Sequence, residues 1–310
     1  AGLAAVAAQV DGAQRAFKSQ GSEAARDPLV AGLGAVRALR SRLGSLGLDE
    51  GARHEIDARL KLKEDQFQRA AVLAQGVRID VLADDGVVVA GQPVRVQTSV
   101  ANRGAGDLTV RRISLSGFDG APACPAAPVS GGAVMPRCDL AARIPAAARL
   151  TTPYWRPLPD AARYEFDADA PFGLPYKPTP FTATIDLTIG GVNVTVQHPV
   201  EFRYEGNIFS GEKRTELLVV PRFSVSVTPE IAIVPTAPAS PATAKGAATA
   251  LAERELRVIV INGNKGAAKA DVSLSLPTGW TATPAAAPVS FAREDAAETV
   301  RFTVKPAGAA

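Results

Sequence analysis

The chain is poor in the residues that do chemistry. Its 310 residues include two histidines, His54 and His198, and two cysteines, Cys124 and Cys138. A metal centre, a nucleophile–base pair or a thiolate active site draws several such groups together, and the sequence carries no cluster that would do so. The formal net charge of +3 is small for this length. Basic residues are scattered, and their densest group, Arg37, Arg40 and Arg42, reads as a solvated helix face; nothing here points to a nucleic-acid partner. No apolar run approaches the ~20 residues of a membrane-spanning helix. The opening Ala1-Gly2-Leu3 lacks a charged region followed by an apolar core and already sits inside a helical pattern. The expectation is a portion excised from a longer protein.

What is present is architecture. Residues 1–75 carry a helical period: Leu3, Val6, Val10 and Phe17 precede a break at Gly21-Ser22. Asp27-Pro28 offers an N-cap followed by proline, ahead of the stripe Leu29, Leu33, Val36, Leu39, Leu43 and Leu46, which Gly47 stops. Asp49 can cap a third helix bearing Ile56, Leu60, Phe67 and Leu73. Short connections predict an antiparallel three-helix bundle or linker. A dimerising coiled coil is the other reading of the stripe, and Gly32, Gly34 and Gly44 weaken it.

At Gly76 the period changes to two. Val77, Ile79 and Val81 alternate with polar residues, as do Val94, Val96, Thr98 and Val100, and Gly190-Gly191 joins two such runs in a hairpin. Residues 76–206 read as a first immunoglobulin- or fibronectin-like β-sandwich with an aromatic, proline-rich insertion at 151–181. Residues 207–310 read as a second, smaller sandwich with a flexible loop at 235–250, and Leu256 to Ile261 as its central strand. The fold class is therefore mainly β with an N-terminal α-helical segment: a helical bundle followed by two sandwiches.

Three groups of residues are candidates for a site. Cys124 and Cys138 could close a loop of ~15 residues by a disulfide, which would suit an exported protein; two free thiols are the alternative. The insertion gathers Tyr154, Trp155, Tyr164, Phe172 and Tyr176 in a chain with only 5% aromatic residues. They form a candidate docking or glycan surface, against the plainer reading of aromatics covering a sheet. Asp167, Asp169 and Asp186 are loosely spaced as calcium ligands would be, but loop aspartates are more simply turn or cap residues. His54 and His198 read as structural, so no catalytic, cofactor-binding or metal-binding residue is assigned.

One further set of residues carries a resemblance. These are Ala83 to Val94, Pro153-Tyr154-Trp155, Arg163 to Phe166, Asp169 to Pro175 and Phe209 to Arg214. Together they resemble the long C-terminal, non-catalytic region of large bacterial PIG-L/LmbE-type deacetylases. The final stretch, Leu276 to Val304 around Trp280, is similar to the small sandwich module attached to some bacterial α-galactosidases. The resemblance implies an accessory region of an exported enzyme, periplasmic or extracellular. Its partner would be an upstream zinc-dependent catalytic domain acting on acylated amino sugars, with carbohydrate as a further possible partner. That domain's His-Pro-Asp-Asp motif has no counterpart here, so neither its metal ligands nor its base carries over, and zinc belongs to the absent domain.

Overall fold

A computed structural model describes residues 2–120, 122–171, 173–174, 176–231 and 253–307. The fold is mainly β with an N-terminal helical segment. The chain divides into two compact units. The first contains the helices and the first sandwich; the second contains residues 218–310 together with the short segments 87–92 and 146–151.

Three helices open the first unit: α1 (Gly2–Gln20), α2 (Arg26–Ser41) and α3 (Glu50–Ala74). Gly21, at a φ of 89°, ends α1. A 3-10 turn over Glu23–Ala25 runs directly into α2, so no extended residue precedes it and Asp27 lies in its first turn rather than at its cap. The expected stripe of α2 is cut short at Ser41 by a second 3-10 turn, Leu43–Ser45, which buries Leu43 and leaves Leu46 exposed. Asp49 caps α3 by accepting the Ala52 N–H at 2.9 Å.

The helices pack in sequence order, α1 on α2 and α2 on α3. A Cβ on Gly32 would overlap the edge of the Phe67 ring, so glycine at that position is what lets α2 and α3 approach. Leu33, Val36, Leu60, Phe67 and Ala71 fill this contact. Leu3, Val10, Phe17 and Leu73, all apolar residues of the helical pattern, are exposed. α1 lies at the outside of the helical layer, with Val6 and Ala13 as its buried residues.

Two sheets make the first sandwich. One runs Glu212–Glu216, Glu201–Glu205, Val77–Ala83, Pro93–Asn102, Cys138–Arg143 across its width. The other runs Val192–Pro199, Thr182–Ile189, Leu108–Ser116, Ala123–Cys124, with Ala127–Val129 also paired to Leu108–Ser116. Alternation along the strands sends Val81, Val96, Val100, Val110, Ile113, Ile185, Leu187 and Ile189 into a common core. The Gly190-Gly191 turn has φ of 54° and 79°, the positive pair a two-residue hairpin needs. Cys124 and Cys138 form a disulfide, and because they lie on strands of different sheets it ties the two faces together.

α3 lies against the outermost strand of the second sheet. Arg37 Nη1 donates to the Asn193 carbonyl at 2.6 Å, and the Thr195 N–H donates to Gln68 Oε1 at 2.9 Å. Glu64 holds Arg37 in place through Nε at 2.6 Å and binds Arg40 Nη1 at 2.6 Å, while Arg40 also reaches Asp57 at 2.9 Å. Burial pushes the Glu64 carboxyl up, but the two guanidiniums outweigh it and hold the group below its ordinary range.

The second unit is built on a four-stranded sheet: Phe223–Thr228, Arg254–Asn262, Ala297–Lys305, Thr281–Thr283. Facing it is the pair Ala268–Ser273 and Ala286–Phe291, and Val258, Val260, Val289, Phe291 and Phe302 form the core between them. Leu218–Val220 pairs in parallel with Val87–Val89. The loop expected at 235–250, and Ile233 before it, lie outside the described residues.

Candidate functional site

Within the insertion, Trp155–Pro157 and Tyr164–Phe166 form a two-stranded antiparallel ribbon. Trp155 pairs with Phe166 and Pro157 with Tyr164, so period-two alternation collects these four side chains on one face. Arg156 and Glu165 take the other face, joined by an ion pair at 3.0 Å, and Arg156 also lies 3.4 Å from Asp167. The ribbon is thus amphipathic, yet Trp155, Tyr164 and Phe166 are all roughly half exposed. A lone two-stranded ribbon is marginal in water; this one is pinned from below. Tyr154 is 8% exposed, its ring packs 5.9 Å from Phe166, and its hydroxyl donates to the Leu174 carbonyl at 2.5 Å. The Asp167 N–H donates to the Tyr154 carbonyl at 2.8 Å.

The structure therefore separates the aromatic candidates. Tyr154 is an anchor beneath the surface, its ring against Phe166 and its hydroxyl on the Leu174 carbonyl. Trp155 and Tyr164 stand together at 5.0 Å between centroids, their planes 82° apart. Tyr176 is 81% exposed, beside Lys177, which pairs with Asp169 at 2.8 Å. Phe172 lies outside the described residues. Phe166 belongs to the exposed face as well, and its cross-strand pairing with Trp155 is what puts it there.

The aspartates have separate partners: Asp167 meets Arg156, Asp169 meets Lys177, and Asp186 accepts from Thr195 Oγ1 at 2.8 Å. Among the described residues no three histidine, cysteine or acidic side chains converge as a metal site would require. His198 Nδ1 lies 2.7 Å from the Pro199 carbonyl oxygen, a contact it can make only as a donor. His54 lines an open, polar depression with Arg40, Arg53 and Asp57.

A second exposed feature escaped the sequence. The hairpin Glu201–Glu205 to Glu212–Glu216 carries Ile208 and Phe209 at its tip, 91% and 95% exposed. Asn207 fixes the turn: its Oδ1 accepts the N–H groups of Phe209 at 3.1 Å and Ser210 at 2.9 Å, and its carbonyl accepts that of Gly211 at 3.2 Å. Midway along the hairpin, opposite Arg203, Arg214 binds Glu212 and Asp80, each at 2.8 Å. Burial raises the Asp80 carboxyl, but Arg214 and Arg78 outweigh burial and keep it below its ordinary range. The readable signal was Asn207 between Gly206 and Gly211, a turn composition flanking two bulky apolar residues.

Comparison with known proteins assigns the chain to no family. No family model and no curated protein matches it. Among solved structures, a Pseudomonas fluorescens alkylpurine DNA glycosylase, AlkC, bound to DNA with an abasic site analog, is 13% identical, with a TM-score of 0.19 over 58% of this chain and 48% of its own. Red sea bream transglutaminase is 12% identical, with a TM-score of 0.30 over 79% of this chain and 29% of its own. The sporulation control protein Spo0M of Bacillus subtilis is 10% identical, with a TM-score of 0.25 over 73% of this chain and 90% of its own. The chain thus spans less than half the length of the first two. None of the three is a PIG-L-type deacetylase, and likenesses of this size carry no inference about what the chain does.

Proposed function

We propose that the chain is a non-catalytic accessory region that docks on, and steadies, the catalytic domain of an exported bacterial PIG-L-type deacetylase. The observation that carries the docking role is the aromatic ribbon: Trp155, Tyr164 and Phe166 share one face, are held by the buried Tyr154, and stay about half exposed. Rigid, pre-positioned aromatic side chains lose little entropy when covered and are the usual anchors of protein interfaces. The inter-sheet disulfide supports an oxidising, exported setting. The link to a deacetylase rests on the sequence resemblance, and its zinc and acyl-sugar chemistry would reside upstream.

A stand-alone glycan-binding module is the second reading, favoured by the exposure of Trp155 and Tyr176. The 82° angle between Trp155 and Tyr164 counts against it, because a pyranose ring stacks on a flat shelf and two perpendicular rings make a step. A plain structural spacer would leave the exposed ribbon without a purpose. The test is to read the native coding sequence upstream of Ala1. An open frame running into a His-Pro-Asp-Asp motif is expected, with deacetylase turnover in the whole product that falls on Trp155→Ala with Tyr164→Ala. A signal peptide ending just before Ala1 would overturn the deacetylase reading, and glycan titration of the chain would then decide between module and spacer.

A further inference from the structure

The two β units build the same corner in two ways. In the first, Val77 pairs with Asn102 at the end of its strand; in the second, Phe223 pairs with Asn262. The N–H of Asn102 donates to the Ala133 carbonyl, and that of Asn262 to the Ala296 carbonyl, at 2.9 and 3.0 Å. The next N–H, of Arg103 or Gly263, donates to the residue just before the paired strand, Gly76 or Arg222. Each asparagine is fully buried, and each Nδ2 donates to the carbonyl four residues on, Gly106 at 2.8 Å and Gly266 at 2.9 Å. Each also reaches across to the returning chain, at Ser130 or Arg293.

The corners diverge at the asparagine's Oδ1. In the second unit the corner completes itself: Asn262 Oδ1 accepts the N–H of Asn264 at 3.0 Å and Asn264 Nδ2 at 2.8 Å. In the first unit the position of Asn264 is taken by Gly104, which has no side chain to give. Gln75, directly after α3, fills the place instead. Its Nε2 donates to Asn102 Oδ1 at 3.0 Å and to the Gly106 carbonyl at 2.5 Å, and its backbone carbonyl accepts the Gly104 N–H at 3.1 Å. A Cβ on Gly104 would overlap that carbonyl, so the glycine is what admits the helix end. Glu23 adds a second tie, accepting the Ala105 N–H at 2.6 Å.

We infer that the two sandwiches are variants of one module, and that Gln75 substitutes for the missing asparagine so that α3 and the first sandwich order as one unit. The helical segment is then a built-in part of the first sandwich's corner, whereas the second module needs none. Hydrogen exchange on the full chain and its variants tests this. Gln75→Ala is expected to speed exchange about tenfold or more both in the last turn of α3 and at 103–106, leaving 262–266 unchanged, because it strands Asn102 Oδ1 without its buried donor. Gly104→Asn is expected to restore a self-completed corner and expel the helix end, so that 70–76 loses protection while 103–106 keeps it. Asn264→Gly is expected to loosen 262–266 alone. Gln75→Ala loosening only one of the two segments, or Gly104→Asn leaving α3 protected, would overturn the inference. Should Gln75→Ala fail to fold, Gly104→Asn decides alone.

Discussion

Two hairpins of the first sandwich make an instructive pair. The glycine hairpin, Thr182–Ile189 to Val192–Pro199, is long, buries one face in the core and is covered on its far strand by the helices. Val30 lies over its turn at Gly190, and Arg37 and Gln68 satisfy backbone groups of Asn193 and Thr195. The aromatic ribbon is short and has an apolar face of its own, on which Trp155, Tyr164 and Phe166 stay about half exposed. Both obey the same alternation; what differs is the cover. A hairpin whose apolar face is already packed serves stability, and one whose aromatic face is pinned but bare is available for recognition.

Variants on the covered side should cost folding, and variants on the bare side should not. Phe67→Ala leaves the space opposite Gly32 empty and should destabilise the first unit by about 3–5 kcal/mol, read from the urea midpoint. Reducing the Cys124–Cys138 bridge, or Cys124→Ser with Cys138→Ser, should cost about 3 kcal/mol for a loop of this length, seen as a lower Tm in dithiothreitol. Arg37→Ala removes donors to Glu64 and the Asn193 carbonyl and should cost about 1–3 kcal/mol, with strong coupling to Gln68→Ala in a double-mutant cycle.

Acid offers a finer probe of the same joint. Glu64 has a folded pKa below its unfolded value, so its stabilising contribution is complete above the unfolded carboxylate range of about pH 4.3 and is lost as pH falls through the folded value. A urea midpoint that declines on acidification below that range, with a shallower decline in Glu64→Gln, is expected. The smallest effect on folding belongs to Trp155→Ala with Tyr164→Ala, within about 0.5 kcal/mol per residue, because both rings are already half in water. A large loss of stability there would mean that the ribbon is structural and would erase the contrast between the hairpins.

Much of this fold is written in short-range patterns. The shift from a helical period to a period of two at Gly76, the Gly190-Gly191 turn and the cap at Asp49 are local chemistry, and the structure carries each of them. Which apolar stripe is buried is not local. Leu3, Val10 and Phe17 have helical spacing, yet α1 sits at the outer edge of the helical layer and leaves them exposed. The site was legible as a composition, aromatics crowded into residues 151–181, but not as a geometry. Adjacent Tyr154 and Trp155 look equivalent in sequence, and only the hydroxyl bond to Leu174 shows that one is the pin and the other the contact. The Asn102 corner was illegible for a related reason, since its third member, Gln75, comes from the end cap of α3, 27 residues away.

Docking through the aromatic ribbon is tested most directly by hydrogen exchange across residues 154–167, in this chain alone and in the product of the native coding sequence. Docking predicts protection of the ribbon's amides at least about tenfold greater in that product than in this chain, since a covered strand pair exchanges only when its cover opens. Equal rates in the two would contradict docking and leave the ribbon as bare surface.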